Sequence, residues 1–230
     1  MWWKVPKIWD GGDCYILGGG PSLTKQFGIP EETVQAVKSG VADPSAYSPY
    51  MEFLHNKHVI GINIAFRIGN WIDMLYFGDK SFYTRFKHEI QRFPNLKVTC
   101  RLSLDQPFPN IKNLRRLATS QTFGLTTKPD SVRWNSNSGG SGINVAVHTG
   151  AKRIFLFGYD MQSTGRQTHW HSMYAGQNSN RNPYKTHSKC FPMIARDAKK
   201  LGIEIINVNP DSKISCFPKM ELSEVKKLVS

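Results

Sequence analysis

Six short runs of apolar, β-branched or aromatic residues constrain this chain more than anything else in it. They lie at residues 14–17, 59–63, 74–79, 97–100, 153–158 and 203–207, and most end in a small or polar residue. Runs this short that do not alternate with polar residues fit strands covered on both faces, which is the environment of a parallel sheet. Helical spacings lie between them. Phe82, Phe86 and Ile90 follow the third run, and Ile143, Ala146 and Val147 precede the fifth. Phe191, Ile194, Ala195, Ala198 and Leu201 lead through Gly202 into the sixth. Strand and helix in alternation predict an α/β fold with a doubly wound, mostly parallel sheet.

Three stretches break that rhythm. Residues 38–57, 105–140 and 162–183 are rich in Pro, Gly, Ser and Asn, and they read as long irregular loop insertions, functional or disordered. A short helix is expected over residues 221–229. The 230 residues fit one nucleotide-binding α/β domain over 1–230, and a hydrophobic fraction of 40% spread along the chain excludes a disordered tail or a coiled coil. No apolar run approaches the ~20 residues of a bilayer crossing, and no leader pattern opens the chain, so a cytoplasmic protein without a membrane span is expected. Cys14, Cys100, Cys190 and Cys216 are too dispersed for a zinc ribbon and read as reduced packing thiols.

The strongest local signal is the first run passing directly into Gly18, Gly19, Gly20, Pro21, Ser22 and Leu23. Glycines after a first strand let backbone N–H groups approach phosphate oxygens, and the Ser22 hydroxyl adds a donor. The spacing is neither that of a P-loop kinase nor that of a dinucleotide fingerprint. Asn63, Asp79 and Asp160 each stand at a strand end, where the ligand crevice of an open parallel sheet lies; each also has the chemistry of a turn cap. Asn137, Ser138, Gly139, Gly140, Ser141 and Gly142 open a helix with Ser141 as its expected N-cap, giving either a second anion site or a flexible linker. His169 and His171 flank Trp170 in the loop after Asp160. Their spacing lacks a third ligand for a metal, and imidazole suits removal of a hydroxyl proton.

Together these motifs resemble the bacterial sialyltransferase type of glycosyltransferase. They also resemble the MptE-like 6-hydroxymethylpterin diphosphokinase superfamily, which includes the Maf flagellin glycosyltransferases and many small phage-encoded proteins. The shared pattern covers about residues 13–210. The resemblance implies a Rossmann-like fold holding a nucleotide between the glycine turn and the helix at Ser141. It also implies a base on the histidine loop, His171 first and His169 second, with no metal and no tightly bound cofactor. Tyr159, Tyr174 and Tyr184 are the candidates for the tyrosine pair that steadies the departing phosphate in that family. In the diphosphokinase branch, Asp79 and Asp160 would instead hold Mg²⁺ on ATP.

The function expected is transfer of a sugar from a nucleotide-sugar donor to a hydroxyl acceptor, with Asn63 reading ribose or base. The alternatives are Mg-dependent diphosphoryl transfer and a non-catalytic nucleotide- or nucleic-acid-binding role. Thirty Lys and Arg against seventeen Asp and Glu leave a net charge of +13, concentrated in Lys112, Arg115, Arg116, Lys185, Lys189 and residues 196–200. That surplus makes DNA an acceptor to weigh against a saccharide, as a phage-type DNA-modifying enzyme in a host cytoplasm would have.

Overall fold

The computed structural model describes residues 2–100, 110–117, 123–163, 168–174 and 183–230. The first half of the chain builds β1 (Asp13–Leu17), α1 (Ser22–Gln26), α2 (Glu31–Ser39), a 3-10 helix (Pro44–Leu54), β2 (Val59–Ile62), a second 3-10 helix (Asn63–Ile68), β3 (Met74–Phe77), α3 (Lys80–Arg92) and β4 (Leu96–Thr99). The second half adds β5 (Ile111–Asn113), β6 (Arg115–Leu117), β7 (Ser131–Arg133), α4 (Ser138–His148), β8 (Arg153–Phe157), α5 (Tyr184–His187), α6 (Phe191–Lys200), β9 (Glu204–Asn207) and α7 (Leu222–Leu228).

Seven strands form one parallel sheet in the order β5-β4-β3-β2-β1-β8-β9, and β6 pairs with β7 beside it. The centre is β1, in register with β2 at Tyr15 and Val59 and with β8 at Tyr15 and Phe155. Because side chains alternate across a strand, each of these strands feeds two cores. Tyr15, Leu17, Phe155 and Phe157 pack with α1, α2, α3 and α7, whereas Cys14, Ile16, Ile154 and Leu156 pack with α4 and α6. Burying a large apolar side chain stabilises by roughly 1.5–3 kcal/mol, so the unalternating runs are the main source of the sheet's stability.

The six expected strands form, and helices cover both sheet faces, a Rossmann-like doubly wound arrangement. The stretches read as irregular are more ordered than expected where they are described. Residues 38–57 contain the 3-10 helix started by Asp43, whose side chain accepts from the Ser45 N–H. Residues 105–140 contain β5, β6 and β7, three-residue strands too short for any periodicity to announce. Residues 101–109, 118–122, 164–167 and 175–182, which belong largely to the expected insertions, lie outside the described residues. All four cysteines carry free thiols. No helix among the described residues is long and apolar enough to cross a membrane.

Candidate functional site

The strand order places the candidate site. From β1 the chain moves outward through β2, β3, β4 and β5, then returns to add β8 and β9 on the other side of β1. Such a reversal leaves a crevice outside the carboxyl ends of the two strands that diverge. A cleft of about 220 Å³ opens there, with Gly18 and Gly19 after β1, Asn63 after β2, Asp79 after β3 and Tyr159 after β8 on its walls. The N-terminus of α4, at Ser138 and Gly139, and the histidine loop complete it.

The glycine turn is shaped by close approach to the exit of β8. Gly18 donates its N–H to Phe157 O and Gly20 donates to Gly158 O, each at 2.8 Å. A Cβ on Gly20 would fall on the Asp160 carboxylate. The Ser22 N–H donates to Asp160 Oδ2 at 3.3 Å. The turn is therefore not an open cradle: of its N–H groups only that of Gly19 lacks a protein acceptor among the described residues. Gly20, Pro21 and Ser22 lie away from the cleft wall, and their glycine and turn chemistry serves the junction of β1 with β8.

Asp160 belongs to the same junction. It is 4% exposed, accepts from Ser22 N–H and from Asn209 Nδ2 at 2.6 Å, and burial raises its pKa above the usual carboxylate range. Asp79 lines the cleft and accepts from Ser138 Oγ at 3.4 Å. The Asp79 and Asp160 pair expected for Mg²⁺ is thus divided between the cleft and a buried turn, and no group of three His, Cys, Asp or Glu side chains among the described residues is arranged to hold a metal.

The cap of the second anion site lies four residues earlier than expected. Asn137, not Ser141, caps α4, its side chain accepting from the Gly140 N–H at 2.6 Å. Ser141 is fully buried one turn inside the helix and donates to Trp134 O, while a Cβ on Gly142 would meet Ile62 at 2.5 Å. Both are packing residues. The glycine run made the start ambiguous because Ser138 and Ser141 each precede helix-compatible spacing. Asn135 and Ser136 settle it by adopting left-handed φ values of 57° and 56° just before the cap.

Asn63 also sits in the left-handed region, at φ 51°, a conformation Asn tolerates better than most residues. Its Oδ1 is buried in the cleft wall without a partner among the described residues. Burial first and Asp79 second raise the Tyr174 pKa, and Arg85 and then Asn63 oppose the rise.

His169 and His171 stand beside the glycine turn because Trp170 fastens their loop to it. Trp170 is fully buried; its backbone N–H donates to Gly19 O at 3.1 Å and its indole Nε1 donates to Gly18 O at 3.0 Å. His169, His171 and Tyr174 form a three-ring cluster with centroids 4.8–5.3 Å apart. His169 Nδ1 lies 2.9 Å from Thr168 Oγ1, and burial first and His187 second lower its pKa. His171 accepts from the Met173 N–H at Nδ1, 3.2 Å away, and its pKa is pushed down to about 3, chiefly by burial and then by His169, Arg67 and Arg85.

Sequence reasoning missed Trp134, Trp170 and His187 as site residues. Of these only Trp170 had a signal, its place between two histidines. Of the other candidate tyrosines, Tyr159 is buried on the cleft wall and donates to Gly139 O at 3.1 Å, while Tyr184 donates to Thr168 O at 3.2 Å. Arg116, from the basic segment, stacks 3.8 Å from the centroid of Trp134, which lines the cleft.

This architecture has counterparts among solved structures. The chain shares its fold with a glycosyltransferase. The Maf glycosyltransferase from Magnetospirillum magneticum AMB-1 superposes with a TM-score of 0.55 at 13% identity, over 99% of this chain and 38% of that one. This chain thus spans less than half the length of that enzyme. The sialyltransferase CstII from Campylobacter jejuni matches with a TM-score of 0.45 in two complexes. In that with cytidine-5′-monophosphate the identity is 14%, over 91% of this chain and 84% of that one; in that with CMP-3FNeuAc it is 15%, over 91% and 86%. No family model and no curated protein matches the sequence.

Proposed function

We propose that this protein is a glycosyltransferase that takes a sugar from a nucleotide-sugar donor and passes it to a hydroxyl acceptor without a metal. The observation that carries the reading is the placement of His169 over Gly19, fastened by Trp170, across a switch-point cleft from the N-terminus of α4. The resemblance of the motifs to the sialyltransferase and Maf groups and the fold shared with the Maf enzyme support it.

The N–H groups of Ser138 and Gly139, which meet no acceptor among the described residues, and the dipole of α4 favour the donor's phosphate at that end of the cleft. Asn63, with its unmet Oδ1, accepts from a ribose hydroxyl or a base amino group. The tautomer of His169 that donates from Nδ1 to Thr168 Oγ1 leaves a lone pair on Nε2, which takes the acceptor's hydroxyl proton. The acceptor oxygen then bonds to the anomeric carbon while the bond from that carbon to the phosphate oxygen breaks, and the electron pair leaves with the nucleotide. A lowered His169 pKa keeps that lone pair available at neutral pH. Arg116, Lys112 and Arg115 make a DNA hydroxyl an acceptor to test beside saccharides.

Thermal melting with nucleoside 5′-monophosphates and nucleotide sugars, each with and without EDTA, tests the reading, since a ligand that binds only the folded state raises the midpoint. One nucleotide family should stabilise the protein in EDTA, and its sugar conjugate should be turned over. Stabilisation by ATP only with Mg²⁺ would replace this reading with diphosphoryl transfer. Silence to all nucleotides, with salt-sensitive DNA binding, would replace it with a binding role.

A further inference from the structure

We infer that His171 is a hydrogen-bond donor, through Nε2–H of a neutral ring, to an oxygen of the donor's phosphate, and that it is not the proton acceptor of the transfer. The inference rests on the transferase reading above. A backbone amide can only donate, so the 3.2 Å bond from Met173 N–H leaves His171 Nδ1 as an unprotonated acceptor. A neutral imidazole in that state carries its hydrogen on Nε2 and has no second lone pair to offer. Nε2 is buried without a partner among the described residues, in a side chain that is 5% exposed and lines the cleft. A buried donor with nothing to meet is costly, and a ligand oxygen in the cleft removes that cost.

The charges around the ring keep it a neutral donor, and the N-terminus of α4 on the same cleft supplies the preference for a phosphate oxygen. Arg67, from the 3-10 helix after β2, and Arg85, from α3, are the cations whose fields reach His171; His169 and Tyr174 flank it from its own loop. Arg67 is paired with Asp43 and Asp79 stands on the cleft wall, so the two guanidinium groups act on the ring itself, where they and burial oppose a charge. A neutral N–H donor of this kind is in place through the neutral pH range, and its bond strengthens as charge builds on the departing phosphate.

Two measurements test this. The ¹⁵N shifts of His171 in the free protein report its tautomer. The Nε2–H form should persist from pH 8 to pH 5, whereas an Nδ1–H form or a midpoint near 6.5 would overturn the inference. The second uses the nucleoside monophosphate that stabilises the protein, beside the matching nucleoside. The monophosphate should move the His171 Nε2 resonance and the nucleoside should not. His171→Phe should weaken monophosphate binding by about ten- to a hundredfold, the loss of a hydrogen bond to a charged group, while His171→Gln, which keeps an N–H near the same place, restores most of it. Equal binding by the Phe variant, or an equal response to the nucleoside, overturns the inference alone. If no nucleotide binds the unsubstituted protein, the transferase reading falls with it.

Discussion

The indole Nε1 of Trp170 donates to the carbonyl of Gly18 across a sequence separation of 152 residues, at 3.0 Å. Through that bond and the one from its own N–H to Gly19 O, a loop that follows β8 is locked to the turn that follows β1. The position of both histidines is thereby tied to the centre of the sheet.

Replacing Trp170 by Phe keeps a ring in the buried slot and removes the indole donor, leaving Gly18 O without it. We expect a loss of about 1–3 kcal/mol in urea unfolding, the cost of one buried unmet group. Turnover should fall by more than nucleotide affinity, because His169 moves relative to the acceptor. An unchanged kcat with unchanged stability would show that the loop is held by other contacts.

Gly20→Ala should be among the most damaging single substitutions. Its Cβ would overlap the Asp160 carboxylate and lie 2.5 Å from Gly158 O, so β1 and β8 must separate at the turn. A destabilisation of about 2–4 kcal/mol is expected from such overpacking against backbone. Gly12→Ala, where a Cβ meets only Trp9 O at 3.4 Å, is the control and should cost under about 1 kcal/mol. Equal midpoints for the two variants would refute the close-approach argument.

The acid limb of the transfer rate should report His169. Burial and the neighbouring His187 both hold its pKa below the ordinary histidine value, so kcat/KM should rise with pH below about 6.5 and level off above it. His187→Asn removes the second cause while keeping polarity, and it should move the limb's midpoint upward. A midpoint that stays put or moves down would separate His187 from the base.

Stability should fall on acidification from pH 7 to pH 5. His171 is held neutral in the fold, with a pKa of about 3, and takes up a proton near pH 6.5 once unfolded. The unfolded state therefore binds more protons in this window, and stability increases with pH across it. Each unit below about 6.5 costs up to ~1.4 kcal/mol for this one group. Urea unfolding of the unsubstituted protein and of His171→Phe at pH 7, 6 and 5 checks this. The variant should show the shallower decline, and parallel lines would contradict it.

What the sequence determined by itself is the sheet and its cores. Runs such as Tyr15–Leu17 and Phe155–Phe157 have nowhere to go but between two layers, and that requirement is local enough to read residue by residue. The glycine turn, the strand-end Asn63 and Asp79, and the pair of histidines were legible for the same reason: each is a short motif next to a strand end. Which of them face the cleft was decided by contacts between segments far apart in the chain. Asp160 has the same strand-end position as Asp79, yet the approach of Gly20 and Asn209 turns it into a buried clasp. Ser141 looks like a cap until Asn135 and Ser136 bend the chain and hand that place to Asn137. The surroundings of His171 are equally a tertiary matter. The amide of Met173 occupies one nitrogen of His171 and the other is buried without a hydrogen-bond partner among the described residues, and neither is visible in the spacing His-Trp-His. Hydrophobic patterning is set by each residue's own chemistry, whereas the direction, tautomer and partner of a polar side chain depend on which backbone groups the finished fold brings against it.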